Sequence, residues 1–213
     1  MTAVATFRDK YFALPGDMRN ATSFWSDQAS GTDGCPDPAI PDGTPGTCNG
    51  DGNGNIGVNS PANPEGLRAW QHLQLAGLIE GTYTGITMGA PNPAVPGTNV
   101  PRSKLGQAGW GLFYRSPTAP IWQQSSNFLQ IGTIDGNGLF RGAMNPSEAW
   151  NIDTKVDDGS PVSGALLGAP ASTQLCINPP APTGPSFDPP ANRVYDLTQT
   201  ATNLCALYFK LNM

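Results

Sequence analysis

The sequence predicts an α+β domain suited to a compartment outside the cytoplasm, and three observations carry that prediction. Apolar residues recur at helical spacing in three stretches, 4–14, 64–79 and 145–159. Short runs of β-forming residues fall at 110–114, 128–134, 139–141 and 204–211. Between these runs the chain is dominated by Gly and Pro, 26 and 22 of its 213 residues, and only 13% of residues are charged. That composition gives the loop-rich, weakly charged surface of material outside the cytoplasm. Five Trp, five Tyr and eight Phe provide core anchors, so the chain is not of disordered composition. Its length suits one good-sized domain.

The first helix is read from Val4, Phe7, Tyr11 and Leu14, which share one face, and Pro15-Gly16 stops it. Nothing before Val4 forms a full capping box, and the periodic face runs almost to Met1. Residues 1–15 are therefore expected to be the C-terminal part of a longer helix. Residues 26–64 form a long Gly/Pro-rich loop with few core residues, Ile40, Ile56 and Val58. A second helix follows, with Asn63 as N-cap and Pro64 in its first turn. Its buried side is Leu67, Trp70, Leu73 and Leu78, and it is expected to pack beside the first.

Residues 81–109 are a second Gly/Pro-rich connection. In the strand region, Asp135-Gly-Asn-Gly138 is a hairpin signal. Asn145-Pro-Ser-Glu148 then starts a helix with N-cap, Pro at N1 and Glu at N3. That helix is expected to turn Ala149, Ile152 and Val156 to the core and to end at Gly159 and Pro161.

Net charge is −5 and the eleven basic residues are scattered, which argues against nucleic acid or an anionic membrane as partner. No run of about 18 apolar residues exists to span a membrane, and no cleavable signal pattern stands at Met1. The four Cys are Cys35, Cys48, Cys176 and Cys205. None forms a CxxC pair and there is one His, so zinc is disfavoured. Three disulfide connectivities are possible. Cys35–Cys48 with Cys176–Cys205 is preferred because each pair closes a Pro/Gly-rich loop, and four buried free thiols are the alternative. Oxidised Cys would place the domain in the periplasm or outside the cell.

One segment has the spacing of a calcium loop. Asn49, Asp51 and Asn53 hold positions 1, 3 and 5, Gly54 position 6 and Ile56 position 8. Asn55 adds an oxygen, but position 12 is Ser60 rather than Glu, and Glu65 would have to reach back. With one carboxylate in the core of the motif, any calcium would bind weakly. The plainer reading is a polar turn that needs no metal.

Asp153, Asp157 and Asp158 could be read as a hydrolytic carboxylate group, but charges before a helix-ending Gly are the ordinary case. His72 has no second His or nucleophile beside it and reads as a partly buried packing residue. Asn20-Ala-Thr22 is a formal sequon, read as idle. Trp25, Trp110, Trp122 and Trp150 would be sugar platforms if exposed. Core packing is the better reading for most, and Trp122 is the best surface candidate. No catalytic set emerges.

Several stretches together resemble bacterial type IV pilin-like proteins, the prepilin-type family that includes the pseudopilins of type II secretion. They are Phe7-Arg-Asp-Lys-Tyr-Phe-Ala-Leu-Pro-Gly-Asp-Met18 with Asn20-Ala-Thr-Ser-Phe-Trp25, then Trp70 to Ile79, Ala149 to Gly159, and Cys205 to Leu211. The four patches stand in the family's order and are spread over most of the chain, from Phe7 to Leu211. The family's leader, its cleavage site and the apolar half of its first helix are not in this sequence.

The resemblance implies a pilin-like fold, a helical spine packed on a small antiparallel sheet with a disulfide-bounded loop near the C-terminus. It also implies a structural subunit rather than an enzyme, whose precursor sits in the inner membrane and is passed to an assembly machinery there. Copies of the chain or of related pilins would be its partners, in an extracellular or periplasmic filament serving adhesion, motility or secretion. The face of Val4, Phe7, Tyr11 and Leu14 would continue the spine and anchor the head. Some pseudopilins bind calcium, in a different loop, so no ligand residue transfers. A secreted, monomeric carbohydrate-binding or adhesin module is the alternative, and a secreted hydrolase the third reading.

Overall fold

The path of the chain follows from where its apolar faces can be buried. A computed structural model describes residues 1–25, 46–57, 65–86, 94–115, 125–134, 140–170, 175–179 and 193–211. Its helices are α1 (Thr2–Tyr11), α2 (Thr22–Trp25), α3 (Glu65–Leu75) and α4 (Pro146–Val156). The strands are β1 (Gly109–Arg115), β2 (Ser126–Ile134), β3 (Phe140–Arg141), β4 (Leu166–Pro170), β5 (Ile177–Asn178), β6 (Val194–Tyr195) and β7 (Cys205–Lys210). The main sheet runs β1-β2-β7-β4, antiparallel throughout, with β3 beside β2. A second, two-stranded sheet pairs β5 with β6. Mixed helix and antiparallel sheet is thus the observed class, as the sequence predicts.

Register assigns the faces of the main sheet. Leu112 pairs with Leu129, Leu129 with Phe209 and Phe209 with Leu166, so these four share one face. Phe113, Phe128 and Tyr208 lie on the other, where Tyr208 meets both rings edge-on. The core has two centres. One gathers Val4, Phe7, Ile56, Leu67, Leu73, Leu112 and Leu211 around α1 and α3. The other gathers Ala149, Leu166, Cys176, Ile177, Tyr195, Cys205 and Leu207 around α4 and the β4–β7 end of the sheet.

α1 ends earlier than its periodicity predicts. Phe12 takes the left-handed conformation (φ 54°, ψ 30°) and its N–H donates to the Arg8 carbonyl at 2.8 Å, which closes the helix after Tyr11. Leu14 still reaches the core, from the turn that follows. There Gly16 (φ 85°) passes so close to α3 that a Cβ would lie 2.2 Å from the Glu65 carbonyl oxygen. Val4 and Phe7 are buried inside their own domain, and each stabilises the seating of α1 by roughly 1.5–3 kcal/mol. The expected contact between the first helix and α3 is present.

α4 has its capping box. The Asn145 side chain accepts from the Glu148 N–H at 2.8 Å, and Glu148 Oε2 accepts from the Asn145 N–H at 2.9 Å. The expected inward face needs correction at one position. Ala149 is buried, but Val156 is 61% exposed and the fully buried residue is Asp153.

Cys176 and Cys205 form the expected disulfide, across 29 positions of sequence. Cys48 is buried, while Cys35 lies outside the described residues, as do Ile40, Val58, Asn63, Pro64, Trp122 and the 135–138 turn. Strands β4, β5 and β6 are additions to the sequence reading. Among the described residues no helix is long and apolar enough to cross a membrane.

Candidate functional site

A dense set of polar bonds lies where the turn after α1, residues 46–57 and the start of α3 meet. Asp51 and Glu65, 14 positions apart, come together here as the reach-back reading requires. The third group is Asp17, from the turn after α1, and one oxygen of each carboxylate lies within 4.8 Å of the others. Nothing local in the sequence marks Asp17, which is 34 positions from Asp51.

Each carboxylate is held by backbone donors. Asp17 Oδ1 accepts from the Asn53 N–H and Oδ2 from the Gly54 N–H, both at 2.9 Å. Glu65 accepts from the Asp51 N–H at 3.0 Å and the Gly57 N–H at 2.6 Å. Asp51 accepts from both the backbone and the side-chain N–H of Asn53.

Two of the other three oxygens of the calcium reading are engaged elsewhere. Asn49 Oδ1 accepts from the Thr22 N–H at 3.0 Å, and so ties the loop to α2. Asn53 Oδ1 accepts from the Asn55 N–H at 2.7 Å. Asn55 is thus joined to the loop through its backbone N–H. A calcium cage turns six to eight oxygens inward, whereas this loop turns N–H groups onto its carboxylates. It is a run of Asx-turns closed on acidic side chains. Asp17, Asp51 and Glu65 are the groups that could hold a cation. Burial first, then the neighbouring Asp51 and Glu65, push the Asp17 carboxyl up to about 6 against the lowering effect of its N–H donors.

Behind the loop His72 is fully buried rather than partly so. The Gly16 N–H donates to Nδ1 at 2.9 Å, so Nε2 carries the proton and faces Thr47 Oγ1 at 2.9 Å. The Thr47 hydroxyl donates to Gln71 Oε1 at 2.7 Å, and Gln71 Nε2 donates to the carbonyls of Gly46 and Thr84. Phe7 stacks near the imidazole with centroids 6.2 Å apart, and Trp25 lies at 5.4 Å. Burial, then the charge of Arg68, bring the His72 pKa down to about 3, so the ring is neutral. Sealed from solvent, it is placed to join α3 to the turn after α1, not to meet a substrate.

No protein-family model, curated protein or solved structure matches the chain.

The carboxylates of α4 are structural in the same sense. Asp153 accepts from the Tyr195 hydroxyl at 2.8 Å and the Gly159 N–H at 3.1 Å. Burial raises its pKa to about 6 against those two hydrogen bonds. Asp157 takes the N–H groups of Ala165 and Leu166, and Asp158 those of Ser160 and the Ser163 hydroxyl. Of the candidate platforms, Trp110 packs toward Phe209 and Trp25 joins Phe7, Tyr11 and Phe24, while Trp150 is 40% exposed on α4.

Proposed function

We propose that this chain is the extracytoplasmic domain of a type IV pilin-like structural subunit, which assembles with copies of itself or related subunits through its N-terminal helix. The observation that carries the reading is the way α1 is mounted. One face, Val4 and Phe7, is buried against its own domain, while Thr2, Ala5, Thr6, Asp9 and Lys10 stay exposed along the other. A helix held by one face and open on the other can anchor a head and still contact neighbours. The Cys176–Cys205 bridge supports an oxidising, extracytoplasmic setting, and the four pilin-like patches supply the family.

The test is electron microscopy of filaments sheared from cells that express the gene, labelled with antibody against this domain. Regular label along fibres identifies a major subunit. Label at tips or at the envelope identifies a minor pilin or a pseudopilin. Soluble monomer in the medium with no labelled filament overturns the reading in favour of a secreted binding module.

A further inference from the structure

Phe12 has a placement its own domain does not explain. A β-carbon in the left-handed region crowds the following carbonyl, so a position closing a helix this way ordinarily takes Gly or Asn. Here it carries an aromatic ring that is 93% exposed. Strained backbone persists only where the surrounding structure enforces it, and such positions cluster at binding and active sites.

The ring borders a hollow of about 410 Å³ whose walls include Arg8, Tyr11, Asp17, Arg19 and Asn20. That volume is in the range of small-ligand sites. Arg19 is set in place at its rim. The Arg19 Nε–H donates to the Asp51 carbonyl at 2.6 Å, and Gly52 leaves room for the side chain where a Cβ would sit 2.2 Å from Nε. Arg8 makes only a loose ion pair with Asp9, at 3.9 Å. The walls thus hold two guanidinium groups and one carboxylate, Asp17, which two backbone N–H groups already engage and behind which Asp51 and Glu65 lie.

We propose that this hollow binds a carboxylate-bearing sugar, such as a uronic acid residue of an acidic polysaccharide. A guanidinium matches a carboxylate with two parallel hydrogen bonds. The Phe12 ring offers flat apolar surface to a sugar ring, and the Asn20 amide and Asp17 oxygens supply the mixed donors and acceptors that hydroxyl groups require. A purely anionic ligand would need the two arginines alone. The aromatic wall and the acceptor beside them select for a hydroxylated ring. The assignment does not depend on assembly into a filament.

The test is calorimetric titration of this chain with tetragalacturonate, its fully methyl-esterified form and tetraglutamate. Tetragalacturonate is expected to bind, and esterification, which removes the charge and keeps the shape, to weaken it at least tenfold. Phe12→Gly relieves the left-handed strain, so it is expected to hold or raise Tm while it weakens binding at least tenfold. Arg19→Gln is expected to do the same to binding at unchanged Tm. No binding of tetragalacturonate overturns the proposal, as does affinity unchanged by Phe12→Gly. Equal affinity for tetraglutamate overturns the sugar assignment, because the hollow would then read charge alone.

Discussion

The two ends of this domain each seal an ionisable side chain in the core, and they do so with opposite chemistry. At the α1–α3 end it is His72, a base kept neutral, bonded to Gly16 and Thr47 and flanked by Phe7 and Trp25. At the α4 end it is Asp153, an acid bonded to Tyr195 and Gly159. Both join elements far apart in sequence, across 56 and 42 positions. The difference lies in what acid does to them. His72 has a folded pKa near 3 against an ordinary 6.5. Its contribution is therefore whole above pH 6.5 and falls by about 1.4 kcal/mol per pH unit as pH drops below that, until the folded pKa is passed. Asp153 has a folded pKa near 6 against 3.8. Its contribution is whole below pH 3.8 and is lost as pH rises through 6. Asp17, raised to about 6 as well, titrates in the sense of Asp153 although it belongs to the first end.

The strongest way to break this comparison is to remove the imidazole. His72→Leu leaves the Gly16 N–H without its acceptor in a closed core and is expected to destabilise by about 3–4 kcal/mol at pH 7. Urea denaturation at pH 7 and 5 should show that the gap between wild type and variant narrows at pH 5, because only the wild type carries the acid penalty. A gap that widens in acid would mean the ring is protonated in the folded state.

Opening the Cys176–Cys205 bridge by a double change to Ser acts on the other end alone. It is expected to lower stability by roughly 3–4 kcal/mol through the freed 29-residue loop, read as a denaturation midpoint that no longer responds to dithiothreitol. Tyr195→Phe removes the hydroxyl that supports the charged form of Asp153 and should cost about 2 kcal/mol at pH 7. Because the Asp153 pKa then rises further, the loss should shrink at pH 5, in the same urea experiment. Asn145→Ala, which takes away the α4 cap, should cost about 1 kcal/mol at either pH. A pH-dependent loss there would show that the cap and Asp153 are coupled.

Sequence legibility divides along similar lines. α4 announced itself because its start is written in four adjacent residues, Asn145 to Glu148, whose side chains satisfy one another. β7 was equally local in its signal, whereas the Cys176–Cys205 pairing, across 29 positions, was a preference among three connectivities. By spacing Val156 shares the face of Ala149 and Asp153, but it is the last residue of α4 and is 61% exposed. Asp153 is held inward by the Tyr195 hydroxyl, 42 positions away. β4 escaped notice because Leu-Leu-Gly-Ala-Pro reads as connection. Yet Gly168 is required there, since a Cβ would lie 2.5 Å from the Tyr195 ring. At the loop site, Asp51 and Glu65 were legible from motif spacing. Asp17 was not, because only the closed fold brings the turn after α1 over Gly54.

The disulfide also bears on what happens when the molecule is pulled. Cys176 lies beside β5, and Cys205 begins β7, which is held between β2 and β4. Force entering the chain at either cysteine crosses to the other through two sulfur atoms. The 29-residue stretch between them is bypassed, and up to about 100 Å of contour is withheld from extension. Pulled from its two ends, the chain would therefore give up that length only once the bridge is reduced.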